Sequence, residues 1–540
     1  MDNKRLKVYV AIFVITTIIA ACVAVYFAIE ANDKNNTVGK VDELASENSS
    51  ANIESQELKE IPNFNFAFLK LENEKVNKIY SPLSIRYALN MLKEGTTGNA
   101  NLQIAKVIGE PSKEVTKYTS SSNMSFANAL FIRDTYKEEV KEEYINTLKS
   151  KYDAEIINDP FESAENINNW ISNKTLNLIN NLLPGVTEDD NFFLINALGI
   201  DMEWATKFFD YSKGNRPMCR YDHEEFSWAI AEHVSLKKFG ENEQEVSGME
   251  IAASLNNYDI ITELGKENII KTVSEAYKNW AKSLPTNDWE YTSTFNNDLS
   301  DANIEKELNK YLYGDNNNGY LEQLGSNYKR VDSSTDFSLY VDDKVKVFAK
   351  DLKEYNGTTL QYVGIMPTTQ ELDNYIKNID EATINNIIGS LKDLKTENFK
   401  DGVVTRIKGY IPKFDFEYQL NLKNDLINLG ITDVFEQGKA NLEGISKDEK
   451  LYVGNTIHKA NIEFTQDGIK AAAATITGGL GAGGSFDYIY NVPIEEIDLT
   501  FDKPYMFIIR DKNNGEVWFT GTVYEPLSWE NEPEKNKYLY

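Results

Sequence analysis

The chain of 540 residues carries 56 Lys and Arg against 84 Asp and Glu, a formal net charge of −28. That surplus repels phosphate backbones and anionic membrane faces, which excludes nucleic acid as a natural partner. Hydrophobic residues at 41% are enough for a sizeable core, while three His and two Cys leave little room for zinc chemistry, Cys/His catalysis or a disulfide framework.

Lys4, Arg5 and Lys7 precede Val8–Ile29, an uncharged run of 22 residues. Crossing a hydrocarbon core takes roughly 20 helical residues, so this run is read as a transmembrane anchor. The basic tip then stays cytoplasmic and the rest of the chain, 31–540, lies outside. A cleaved secretory signal, whose apolar region is usually about 7–15 residues, is the rival. A lipid anchor at Cys22 is a second rival, since Ile19-Ala20-Ala21-Cys22 resembles a lipobox. Residues 31–60 are rich in Asn, Ser, Glu and Lys without a sustained apolar period, and read as a flexible stalk.

Globular patterning runs over 61–527, with 528–540 left as a C-terminal tail. Ser81-Pro82 opens a helix, a hydroxyl cap followed by proline at the first position. Ile85, Ala88, Leu89 and Leu92 continue it to Gly95. Ile167, Trp170, Ile171, Leu178, Ile179 and Leu182 predict one amphipathic helix closed by Pro184. Phe192–Ile200 is nearly all apolar and predicts a strand buried on both faces. Further strands are expected within Ile407–Phe416, Tyr505–Ile509 and Val517–Val523. The mixture lacks βαβ regularity and points to an α+β fold.

Residues 263–336 read as a helical addition. Ile269, Ile270, Val273, Tyr277, Trp280 and Leu284 form one stripe, ended by Pro285; Ile304, Leu308, Tyr311 and Leu312 form another, ended by Gly314. The Asp315–Gly319 turn does not fit a calcium loop, whose glycine falls sixth. Gly479–Gly484 spells G-x-G-x-x-G but lacks the β-α-β frame of a dinucleotide site, so it reads as an exposed loop. The adjacent pairs Glu224-Glu225 and Glu495-Glu496 read as solvated charge. His458 has no accompanying nucleophile motif and reads as a buried structural imidazole. No cofactor and no metal is expected.

The unusual stretch is Gly468–Thr477, where Ala471, Ala472, Ala473 and Ala474 favour helix and Thr475, Ile476 and Thr477 favour strand. A small, nearly uncharged segment of this kind can be loop in one state and slot-filling strand in another.

Asn455–Ala460 through Gly468 and the alanine run resembles the hinge of the serpins. Ser81-Pro82-Leu83-Ser84-Ile85 resembles their shutter helix, and Ala127-Asn128-Ala129-Leu130-Phe131 a further shared segment. Asn196-Ala197 and Trp204 resemble the strand leading to the breach, and Phe501-Asp502-Lys503-Pro504-Tyr505 the C-terminal signature. Gln466 stands where Glu is common and Ile469 where Thr or Ser is common. The central segment and the reactive loop are longer than the family pattern.

The resemblance implies a metastable fold of three β-sheets and about nine helices with an exposed reactive-centre loop. It implies a suicide substrate of serine, or cysteine, endopeptidases that traps the acyl-enzyme when the cut loop enters the main sheet. The chemistry is then the target's, and the chain is not an enzyme. The partner is one extracytoplasmic protease in a covalent 1:1 complex, with the inhibitor a monomer at the cell membrane. Gln466, Gly468 and Ile469 would form the hinge, with Ala471–Thr475 the inserting strand. Ser81, Ser84, Asn196 and His458 would form the shutter and Trp204 the breach. Ala482 stands 14 positions after Gly468, where the resemblance puts the bait bond, Ala482–Gly483. Phe486, Tyr488 and Tyr490 are the exposed alternatives for a chymotrypsin-like pocket. On an inserted strand Ile469, Ala471, Ala473, Thr475 and Thr477 face inward and Lys470 outward, so no ammonium is buried. A non-inhibitory binding protein or adhesin using the 263–336 addition is the alternative function.

Overall fold

A computed structural model describes residues 64–72, 74–109, 116–206, 218–221, 224–227, 234–314, 319–327, 337–420, 422–448, 450–454, 456, 458–469, 486, 488, 490 and 492–533. The expected anchor Val8–Ile29, Cys22, the stalk, Ala471–Thr475 and the Ala482–Gly483 bond lie outside the described residues. Among the described residues no helix is long and apolar enough to cross a membrane.

The helix Pro82–Glu94 forms as its sequence predicts. The Ser84 N–H donates to the Ser81 Oγ cap at 3.0 Å, Pro82 occupies the first turn, and the Gly95 N–H closes the last turn on Leu92 and Lys93. Its Leu83, Ile85, Leu89 and Met91 side chains are buried, and the helix packs on the strands Phe192–Ile200 and Val517–Val523. It thus sits at the centre of the main core.

Three sheets organise the body. A seven-stranded antiparallel sheet runs in the order 78–80, 517–523, 505–511, 360–367, 345–351, 337–341, 392–393. A four-stranded sheet joins 494–500, 404–412, 244–256 and 234–239, with 494–500 parallel to 404–412. The main sheet is split in two. One half is 155–159, 124–133 and 192–200; the other is 414–420, 458–464, 468–469 and 202–203. Only Asp201 separates the strand Phe192–Ile200 from Met202–Glu203, so the halves meet at that end. A small hairpin, 218–221 with 224–227, completes the strands.

Two expectations are corrected. The described residues hold 13 α-helices, not about nine, because five of them lie within 260–327. The predicted helix through Leu182 stops at Lys174. Leu176 and Asn177 take left-handed φ values of 57° and 61°. The Thr175 hydroxyl donates to the Ile171 carbonyl and accepts from the Ile179 N–H, which replaces the next helical turn. Ile179 and Leu183 are still buried, against the neighbouring strand, so the apolar spacing was real but not helical.

The helices read as an addition share a second core, which also takes in Val404 and Val492. Lys266–Ser283 and Asp301–Tyr313 bury Ile269, Val273, Tyr277, Ile304, Leu308 and Leu312, as their stripes predict. Gly314 ends the second helix at φ 68°, a left-handed conformation that suits glycine.

Candidate functional site

The chain after the strand His458–Phe464 makes a tight turn. The Thr465 N–H donates to the Gly468 carbonyl at 3.0 Å. Ile469 then pairs with Phe464 on one side and Met202 on the other, antiparallel to both. The Gly468–Ile469 pair therefore begins a strand between 458–464 and the short strand 202–203, which follows 192–200 after Asp201. Gly468 is required by close approach: a Cβ there would meet the Met202 carbonyl oxygen at 2.3 Å and the Glu203 Cα at 2.7 Å.

Trp204 caps this turn. Its side chain is fully buried, its indole N–H donates to the Thr465 carbonyl at 2.9 Å, and its backbone N–H donates to the Asp467 carbonyl at 3.1 Å. Its ring meets Phe464 edge-on at 5.4 Å. Gln466 is buried too; its amide donates to Asp467 Oδ2 at 3.2 Å, while its Oε1 has no partner among the described atoms.

Below Ile469 the two halves come apart. The strand 192–200 pairs only with 124–133 among the described residues, and 458–464 pairs beyond Ile469 only with 414–420. Among the described residues their facing edges have no strand partner. A cavity of about 150 Å³ lies between them, lined by Ser84, Leu89, Ile179, Asn196, Thr456 and His458 among others. That is the scale of a hole that takes a benzene-sized ligand, not a whole strand, so filling it with backbone requires the halves to spread. The strand expected to be buried on both faces is only half-buried at Phe192–Leu194, where it faces this opening.

Side chains tie the opening shut. His458 Nε2 accepts from the Ser81 N–H at 2.9 Å, joining the cap of the central helix to the 458–464 strand. The Ser84 hydroxyl donates to the Asn196 carbonyl at 3.4 Å, a weak tie to the opposite half. Asn196 Nδ2 donates to Asn128 Oδ1 at 2.9 Å, and Asn128 in turn donates to the Tyr152 carbonyl. Burial pushes the His458 pKa down to about 4, so the ring is neutral at physiological pH. Asn196 Oδ1 and Thr456 Oγ1 are buried without a partner among the described atoms, each costing about 1–3 kcal/mol relative to a bonded state.

Further along the chain, Phe486, Tyr488 and Tyr490 are not exposed, which corrects the expectation for them. They are half-buried against the helical addition. Alternating aromatics in a glycine-rich neighbourhood read as bait because nothing local showed the surface that covers them.

The structure brings Gln466, Gly468, Ile469 and Trp204 together at one end of the opening, and Ser81, Ser84, Asn196 and His458 at its middle. Sequence reasoning missed Thr465 and Asp467, whose backbone carbonyls are what Trp204 holds; carbonyls leave no mark in a sequence. It also missed Asn128 as a partner of Asn196, although Ala127-Asn128 was singled out. Among the described residues no group of His, Cys, Asp and Glu is arranged to hold a metal.

A profile of the family Serpin (serine protease inhibitor) matches residues 62–227 and 332–526. An uncharacterized serpin-like protein of Methanosarcina acetivorans is 23% identical over 480 residues, covering 84% of this chain and 83% of that protein. Glia-derived nexin of Mus musculus is 23% identical over 470 residues, covering 83% and 88%. Neuroserpin of Homo sapiens is 22% identical over 479 residues, covering 85% and 88%. The crystal structure of the thermophilic serpin tengpin in its native state superposes with a TM-score of 0.54 at 19% identity, over 88% of this chain and 96% of that one. With more than half of its length matched, the chain belongs to the serpins, a family of protease inhibitors and not of enzymes.

Proposed function

We propose that this chain is a suicide substrate of serine endopeptidases, tethered outside the cell by Val8–Ile29. The observation that carries the reading is Ile469, paired between Phe464 and Met202 at the head of a gap whose edges have no further partner among the described residues. A protease that cuts at Ala482–Gly483 frees residues 470–482 to continue that strand. Each added residue satisfies backbone groups on the two open edges, at about 1 kcal/mol per new hydrogen bond, so the drive is on the order of 10 kcal/mol. Asn196 Oδ1 and Thr456 Oγ1 lie without partners among the described atoms beside the opening, where an entering strand would bring backbone N–H donors. The acyl-enzyme, attached through Ala482, travels with the strand and is distorted before water can release it.

The residue pattern supports insertion, since Ala471, Ala473 and Thr475 share the inward side with Ile469. Gly478, Gly479 and Gly481 slow the distal part, because glycine lowers strand preference. Alanine before the cut suits a shallow pocket of elastase or subtilisin type.

The test is incubation of the purified chain with such proteases, followed by denaturing electrophoresis. The expected product is a 1:1 complex that survives SDS and fails to form when the protease nucleophile is replaced by alanine. Cleavage without any complex would leave a non-inhibitory binding protein instead. The tether is checked separately: protease added to intact cells is expected to release a soluble body beginning near Ile61. A body soluble before treatment would reject the anchor.

A further inference from the structure

Three residues that follow the proposed bait bond reach the helical addition. The Phe486 ring packs against Tyr277, Trp280 and Tyr311, with centroids 5.0, 5.2 and 5.3 Å away. The Tyr320 hydroxyl donates to the Tyr488 carbonyl at 2.6 Å, and the Tyr490 hydroxyl donates to the Ile269 carbonyl at 3.3 Å. Val492, two residues further, is buried in the same core. The three aromatics sit at every second position, the spacing at which an extended chain offers one face. The addition has in this way a second occupant besides its own helices: the chain on the far side of the bait.

We infer that Phe486 is a positioning residue, a latch that makes loop insertion conditional on cleavage. The inference rests on the inhibitor reading above and deepens it. The chain between the hinge and the latch is residues 470–485, held at Ile469 by the sheet and at Phe486 by the aromatic site. Fully extended, the 17 steps from Ile469 to Phe486 span roughly 60 Å at about 3.5 Å each. A chain that enters the gap and returns reaches half that depth, roughly 30 Å. Inserting all of 470–482 as strand requires about 43 Å. The uncut loop therefore cannot complete the sheet while Phe486 stays among Tyr277, Trp280 and Tyr311. Cutting Ala482–Gly483 removes the conflict, because Phe486 then belongs to the other fragment and stays where it is. The latch opposes a premature collapse that would spend the stored strain without a target.

The experiment uses the full chain without protease, held a few degrees below its first unfolding transition. Conversion to an uncut, urea-resistant form is followed by urea-gradient electrophoresis, with intact mass confirming that nothing has been cleaved. Phe486→Ala is expected to convert about tenfold faster or more, the scale of losing several aromatic contacts. Phe486→Tyr should convert at close to the parent rate, and Tyr320→Phe, which deletes one hydroxyl, in between. After the loop is cut, Phe486→Ala and parent should gain the same thermal stability, which a general weakening of the fold would not allow. Equal conversion rates for parent and Phe486→Ala overturn the latch. Should Phe486→Ala not fold, Phe486→Leu is read in its place by the same criterion. The conversion rates need no protease and the cut-loop comparison needs only one that cleaves without being trapped, so a parent that forms no SDS-stable complex sinks the inhibitor reading and is seen separately from the latch.

Discussion

His458 Nε2 accepts a hydrogen bond from the backbone N–H of Ser81 at 2.9 Å, across 377 residues of sequence. An imidazole nitrogen that accepts is unprotonated, so the ring is neutral and carries its proton on Nδ1. The bond couples the first turn of the central helix to one edge of the split sheet. It lasts only while the ring stays neutral.

This sets a pH dependence. Burial lowers the folded pKa of His458 to about 4, from an ordinary 6.5. Between these values the unfolded chain holds a proton that the folded chain does not, so stability rises with pH through that window. The contribution is complete above pH 6.5 and is lost as pH falls toward 4, at most about 3 kcal/mol. Asp189, Asp190 and Lys459 line the same cavity, so the comparison has to be differential. The first denaturant transition of the parent is expected to fall more steeply over pH 6.5–4 than that of His458→Gln. Parallel curves would mean that His458 does not titrate in this way.

The hinge gives a second prediction, in which folding and inhibition separate. Replacing Ala473 by Arg puts a charge on the inward side of the inserting strand, where burial without a partner costs several kcal/mol. On the inhibitor reading that residue enters the sheet only after cleavage, so the thermal transition of the uncut variant should hold within about 0.5 kcal/mol of the parent. Its complex with the target should give way to cleaved inhibitor and free protease. Gly468→Ala should act earlier, since its Cβ collides with the Met202 carbonyl and loosens the first pairing step. If Ala473→Arg trapped its target as well as the parent, the insertion mechanism would be wrong.

Part of this site could be read from the chain by a local rule, and more of it only by resemblance to a family. Ser81-Pro82 is a cap followed by a first-turn proline whatever lies around it, whereas Gly468, Ser84, Asn196 and Trp204 are placed by the family pattern, and the close approach that requires Gly468 is visible only in the fold. The helix predicted to reach Leu182 failed for a local reason of another kind, the Thr175 hydroxyl competing with the backbone just before the apolar stripe resumes at Leu178. The position of Phe486 was not legible at all. Its partners Tyr277, Trp280 and Tyr311 lie some two hundred residues upstream in a segment read as an added unit, and no propensity encodes such a pairing. The same holds for Glu532, which sits in what reads as a charged tail.

Glu532 forms an ion pair with Lys413 at 2.7 Å, with side chains only 0% and 3% exposed. Its second oxygen accepts from the Ser247 hydroxyl at 2.6 Å. Burial draws the Lys413 pKa down against the opposing pull of Glu532, so the pair is held by geometry and not by strong net electrostatics. Removing one partner strands the other charge. Glu532→Gln is expected to cost about 3–5 kcal/mol in the first unfolding transition. The double variant Lys413→Met/Glu532→Leu should recover most of that loss. A Glu532→Gln midpoint equal to the parent's would show the tail to be dispensable.

The last prediction concerns which bond a protease cuts. Counting from Gly468 selects Ala482–Gly483, while the aromatic side chains of Phe486, Tyr488 and Tyr490 offer better anchors to a chymotrypsin-like pocket. Pocket preference acts only on residues a protease can engage, and engagement of Phe486 requires it to leave three rings. Each such contact is worth about 0.5–1.5 kcal/mol beyond the area it buries. Against this, a hydrophobic pocket gains only about 1–3 kcal/mol by choosing between similar side chains. Undocking therefore cancels the advantage of the aromatic residue, and Ala482 should be cut first even by proteases that prefer larger groups. Mass spectrometry of the C-terminal fragment is expected to show a new N-terminus at Gly483. In Phe486→Tyr the site should be unchanged, because the docked ring is kept. A fragment beginning at Asp487, Ile489 or Asn491 from the parent chain would show that the aromatic segment is presented as bait and not held by the helical addition.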